Sequence, residues 1–138
     1  MKIGIFSLGL NGLTYLKATA SELPEHDYEL LADTRQISMD ATMIADAVEK
    51  GIKQLISRRA SLIIVLDKAH EKVSEILPPK VEIIFSSTPT NLKTFLANNP
   101  ELEKSLSRNQ TRNITLTENT PETDLAVATI LGGTLIRE

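Results

Sequence analysis

Two groups of residues in this 138-residue chain have the types and spacing to do chemistry. The first is Ser7-Leu8-Gly9-Leu10-Asn11-Gly12, followed by Asp33-Thr34 at the end of the next apolar run. A hydroxyl, an amide and two glycines between an apolar strand and an amphipathic helix make a turn that can offer backbone N–H groups to an anion. A carboxylate closing the second strand is placed to accept from ligand hydroxyls. The second group is Asp67, Lys68 and His70, which follow the apolar run Leu62–Leu66, together with Ser86 and Ser87 after Val81–Phe85. A Lys–Asp or His–Asp pair could transfer protons. In the plainer account Asp67 caps a helix while Lys68 and His70 are solvated on its first turn. These three are weak catalytic candidates and no catalytic residue is assigned. The ligand-binding candidates are Ser7, Gly9, Asn11, Gly12, Asp33, Thr34, Ser86 and Ser87.

Apolar runs alternate with helical patterns along the chain. Strands are expected over Lys2–Phe6, Tyr28–Ala32, Leu62–Leu66, Val81–Phe85 and Asn113–Leu116, short and largely apolar as buried parallel strands are. Between them, Leu13, Leu16, Ala20 and Leu23 share one helical face, Ile44, Val48, Ile52, Leu55 and Ile56 a second, and Ala69, Val73, Ile76 and Leu77 a third. Thr88-Pro89 and Thr120-Pro121 mark helix starts and Gly132-Gly133 a helix end. Asn98-Asn99-Pro100 breaks a helix before a short one over Glu101–Leu106. The fold class is α/β: a three-layer αβα open parallel sheet of about five strands, one domain over residues 1–138. The polar strand-to-helix turns then share one edge, where such sheets bind ligands.

Composition removes several functions. A net charge of −3 gives no basic footprint for nucleic acid, and few aromatic residues and no Trp leave no stacking platform for bases. No apolar run approaches a membrane span, and the opening lacks the apolar core of a signal peptide, so a cytoplasmic location is expected. With no cysteine there is no thiolate nucleophile and no thiol acid or base; with only His26 and His70 there is no histidine-rich metal site. His26, between Glu25 and Asp27 in a loop, is expected at the surface. No metal and no cofactor is assigned.

Ser7-x-Gly9-x-x-Gly12 is one residue away from the dinucleotide fingerprint, and Asp33 stands where its ribose-binding acid would. Any tight strand-to-helix turn also favours glycine. A second reading covers more residues. Ile3 to Lys17 resembles the opening of glutamate racemases of the aspartate/glutamate racemase superfamily, I-G-I-F-D-S-G-x-G-G-L-T-x-L-K. The likeness continues through Leu23-Pro24, Asp27 and Asp33-Thr34. A dinucleotide-binding turn does not require Leu13-Thr14, Leu16-Lys17 or Leu23-Pro24.

The resemblance implies one lobe of a racemase-like fold and, in the family, two cysteines that move the substrate's α-proton from one face to the other. Neither thiol is available here. The family's Asp-Ser in the first turn is Ser7-Leu8, its glycine before Gly12 is Asn11, and its Pro-Tyr-Gly substrate turn is Ser38-Met39-Asp40. Its first catalytic cysteine follows the strand matched by Leu62–Leu66, where this chain has Asp67-Lys68-Ala69. Val81–Ser86 resembles the strand that returns from the family's second lobe, so the chain reads as the first lobe alone.

Three functions follow as expectations. The first is a non-catalytic racemase-like domain that binds a small anionic molecule or a protein, with a homodimer or partner covering the cleft edge. The second is a small isomerase using Asp67, Lys68 or His70. The third is a nucleotide- or dinucleotide-binding domain using the Ser7–Gly12 turn and Asp33.

Overall fold

Runs of consecutive apolar residues are buried on both sides only in a sheet covered above and below. The computed structural model, which describes residues 1–9, 11–35, 41–66, 82–85 and 89–117, has five strands. They are β1 (Lys2–Leu8), β2 (Tyr28–Asp33), β3 (Ala60–Val65), β4 (Glu82–Phe85) and β5 (Arg112–Leu116). The sheet order is β4-β3-β1-β2-β5, and every neighbouring pair is parallel. Every residue of β2 and of β3 is buried. The strand ladder carries β1 further than its apolar residues do, because Ser7 pairs with Ala32 and Leu8 with Asp33. Ser7 is therefore a strand residue, and the turn begins at Gly9.

Among the described residues four helices cover the sheet: α1 (Asn11–Glu22), α2 (Ala41–Ser57), α3 (Pro89–Ala97) and α4 (Pro100–Ser105). On one side Leu13 and Leu16 of α1 and Leu92 and Leu96 of α3 pack with Ile3, Ile5, Leu30 and Ile64. On the other, Val48, Ile52 and Leu55 of α2 pack with Phe6, Leu31, Ile63 and Val65. Alternate strand residues feed the two clusters, as the two-residue period of a strand requires. The α2 packing is close: a Cβ on Gly51 would lie 2.2 Å from Cε1 of Phe6. The chain crosses from β4 at one edge of the described sheet to β5 at the other by way of α3 and α4, on the α1 side. The break at Asn98-Asn99-Pro100 is as expected, with Pro100 opening α4 and the Asn99 amide donating back to the Phe95 carbonyl at 2.7 Å. The expected face of Ala69, Val73, Ile76 and Leu77 and the helix marks at Thr120-Pro121 and Gly132-Gly133 lie outside the described residues. No described helix is long and apolar enough to cross a membrane.

One expectation is corrected. His26 is not at the surface; its side chain is 1% exposed. The cause is the return of the chain over the loop between α1 and β2. Arg112 donates to the His26 carbonyl and the Pro24 carbonyl, both at 2.6 Å, and its guanidinium lies over the Tyr28 ring. The Asp27 carboxylate accepts from the Thr111 N–H and hydroxyl, both at 2.8 Å, and from the Asn109 N–H at 3.2 Å. A Glu-His-Asp triplet looks hydrophilic on its own, but here the segment leading into β5 is laid across it.

Candidate functional site

All five described strands point the same way, so their carboxyl ends lie at one edge. The neighbours of β1 lie on opposite sides: the chain goes first to β2 and later to β3. That reversal between β1 and β3 is where sheets of this kind open a crevice.

The turn after β1 is built from the inside. Ser7 is fully buried; its hydroxyl donates to the Gly9 carbonyl at 3.0 Å and accepts from the Gly12 N–H at 3.1 Å. It thereby satisfies one of the free donors at the start of α1, as a capping side chain does. The two glycines serve different ends. Gly9 has φ of +80°, a conformation that side chains disfavour. Gly12 has ordinary φ, but its Cβ would lie 2.5 Å from Cδ1 of Leu30 and 2.7 Å from the Ser7 hydroxyl. It permits the helix to lie on the strand.

The turn after β2 is joined to that one, since the Gly9 N–H donates to the Asp33 carbonyl at 2.8 Å. Asp33 is buried, and its carboxylate accepts from Arg35 Nε at 2.9 Å, Arg35 Nη2 at 2.6 Å and the Thr117 hydroxyl at 3.0 Å. Burial pushes the Asp33 carboxyl up, but the hydrogen bonds from Arg35 and Thr117 and the Arg35 charge outweigh it and hold the group below the usual carboxylate range. The Thr34 N–H donates to the same Thr117 hydroxyl at 2.9 Å. Arg35 and Thr117 are the residues that sequence reasoning did not single out. The available signal was the cation two positions after Asp33, a spacing at which a side chain can fold back on a strand-end acid.

Of the candidates, the structure brings together Ser7, Gly9, Gly12, Asp33 and Thr34. Asn11 is exposed as the first residue of α1. Together with Thr14, Tyr15, Ala18 and Leu66 it lines an open groove of about 460 Å³ between α1 and the end of β3, at the point of strand reversal. Leu66 is held there by its N–H, which donates to the Phe6 carbonyl at 3.1 Å. Asp67, Lys68, His70, Ser86 and Ser87 lie outside the described residues. Among the described residues at this edge, the carboxylate of Asp33 and the hydroxyl of Ser7 are both engaged within the fold. What the groove adds is an amide, a hydroxyl and apolar wall, which suit binding by hydrogen bonds and contact.

No family model matches the chain. It is 34% identical over 68 residues to a glutamate racemase of Halothermothrix orenii, a match to 47% of this chain. The aligned stretch is 27% of the relative's length, so the chain spans well under half of the curated protein it matches. Two solved structures have the same fold. Glutamate racemase from Francisella tularensis, in complex with D-glutamate, superposes with a TM-score of 0.55 at 18% identity, covering 98% of this chain and 75% of that one. The fold is glutamate racemase-like. The second structure is glutamate racemase from Aquifex pyrophilus, with a TM-score of 0.54 at 17% identity over 99% of this chain and 79% of that one. The racemase-like sheet described here corresponds to a single lobe, with a parallel sheet flanked by helices. The racemase-like turn keeps Gly9 and Gly12, and both have physical reasons that do not depend on catalysis.

Proposed function

We propose that this racemase-like chain is non-catalytic and binds a small carboxylate at the carboxyl edge of its sheet. One observation carries the reading: the acid and hydroxyl of the edge, Asp33 and Ser7, are turned inward and held by Arg35, Thr117, Gly9 and Gly12. Proton transfer at an amino acid α-carbon needs two bases poised on opposite sides of it. The chain has no cysteine to supply them. A buried Asp that keeps its charge through two bonds to an arginine is a poor proton acceptor. The racemase neighbour that holds D-glutamate supports an amino dicarboxylate as the first ligand to test. The groove beside Asn11 and Thr14 offers neutral donors to such a group.

The same observation weighs against a dinucleotide. A ribose would need the Asp33 carboxylate that Arg35 and Thr117 occupy.

The decisive experiment follows the α-proton of D- and L-glutamate, and of aspartate, by NMR in D2O with purified protein. No exchange is expected. Exchange above the buffer rate that is lost in Asp67→Ala would overturn the proposal in favour of an isomerase. Amide shifts at Gly9, Asn11 and Thr34 on adding D-glutamate report binding independently; a spectrum unmoved at millimolar ligand would remove the carboxylate.

A further inference from the structure

At the opposite, amino edge of the sheet, three side chains converge that the site above does not use. The Nε2 of His26 lies 3.6 Å from Oε1 of Glu25 and 3.8 Å from Oε1 of Glu103. One ligand atom from each lies within 4.8 Å of the others. The imidazole is buried, and among the described residues neither of its ring nitrogens has a hydrogen-bond partner. An inaccessible imidazole facing two carboxylates at more than hydrogen-bond distance is an incomplete arrangement.

We infer that Glu25, His26 and Glu103 form a divalent metal site, with Zn(II) as the best-fitting ion. One imidazole nitrogen and two carboxylate oxygens suit this borderline ion, with a water completing the tetrahedron. Bonds of about 2.1 Å in a tetrahedron place ligand atoms roughly 3.4 Å apart. The two measured separations from Nε2 exceed that only slightly. The histidine is held by its loop, since Arg112 fixes its carbonyl. The closing movement falls to Glu25 and Glu103, whose side chains are partly exposed.

The surroundings set the terms of binding. Arg108 pairs with the same Glu103 oxygen that faces His26, so the ion must displace it. Lys93 lines the adjoining groove of about 280 Å³ and pairs with Glu22 at 4.0 Å. The metal would fasten α4 to the loop that enters β2.

The test is a zinc titration of the intact chain at neutral pH, followed through the His26 ring nitrogens by NMR, with His70→Ala used to assign the second histidine. The expected result is a coordination shift at Nε2 complete at one equivalent, together with a zinc-dependent rise in melting temperature. Glu25→Gln and Glu103→Gln, both at partly exposed positions, should each weaken binding by more than roughly tenfold. Arg108→Ala, which removes the competitor, should tighten it. His26 signals unmoved at millimolar Zn(II) would overturn the inference. So would a shift indifferent to both glutamate variants, or an imidazole found doubly protonated at neutral pH and bridging the two carboxylates. None of these outcomes depends on ligand binding at the carboxyl edge.

Discussion

Replacing Asp27 by Asn removes a charge from the hub that joins β2 to the segment entering β5. The carboxylate is almost fully buried and accepts from the Thr111 N–H and hydroxyl and from the Asn109 N–H and side-chain amide, at 2.8 to 3.3 Å. Hydrogen bonds to a charged acceptor contribute about 1.5–3 kcal/mol each, and bonds sharing one acceptor do not add in full. Asn can keep an oxygen toward the Thr111 and Asn109 N–H groups, but its NH2 then replaces the oxygen that accepts from the Asn109 side-chain amide, and every remaining bond loses its charged acceptor. The expected loss is about 3 kcal/mol, or roughly 10 °C in melting temperature for a chain of this size. The pH dependence is a second readout. Burial raises the Asp27 carboxyl, but bonds from Ser107, Thr111 and Asn109 outweigh it and hold the group well below the usual carboxylate range. A group with a lowered folded pKa adds stability that is complete above its unfolded value, near pH 4, and lost as pH falls through the folded value. The parent should therefore lose stability steadily below about pH 5, and Asp27→Asn should show a shallower decline. Some slope should remain, because Asp33 is also held low. Urea unfolding at neutral pH and across the acid range measures both quantities. A variant within about 1 kcal/mol of the parent at neutral pH, or one with an unchanged acid slope, would refute the reasoning.

Two further substitutions probe the packing and the turn. Gly51→Ala should destabilise by about 2 kcal/mol in thermal melts despite its better helix propensity, because the new methyl meets the Phe6 ring at 2.2 Å and α2 must lift from the sheet. Ser7→Ala should cost about 1–2 kcal/mol in urea unfolding and hasten amide exchange at Gly12, whose buried N–H loses its acceptor. Normal protection at Gly12 would show that the hydroxyl is not the cap.

The amino-acid sequence by itself determined the layered architecture. Leu30–Ala32 and Leu62–Leu66 are apolar at consecutive positions, and strands covered on both faces accommodate that pattern. The apolar positions of α1 and α2 likewise have one helical solution, which the two core clusters reproduce. The glycines at 9 and 12 were legible as a turn, because φ and close approach are local properties. What the sequence left undecided was which way the polar residues face. Ser7 reads as a turn hydroxyl, yet the ladder with Ala32 draws it into β1 and α1 closes over it. Asp33 reads as a ligand-binding acid, yet Thr117, at the far end of a neighbouring strand, donates to it. His26 reads as a surface loop residue, yet α4 and the path into β5 bury it beside Glu103. Ala32 beside Ser7, Thr117 beside Asp33 and Glu103 beside His26 are all distant in the chain and no local pattern encodes them, whereas Arg35 is a local partner of Asp33. Strand and helix periods follow from backbone geometry within a few residues, whereas the environment of a polar group follows from what the rest of the fold lays against it.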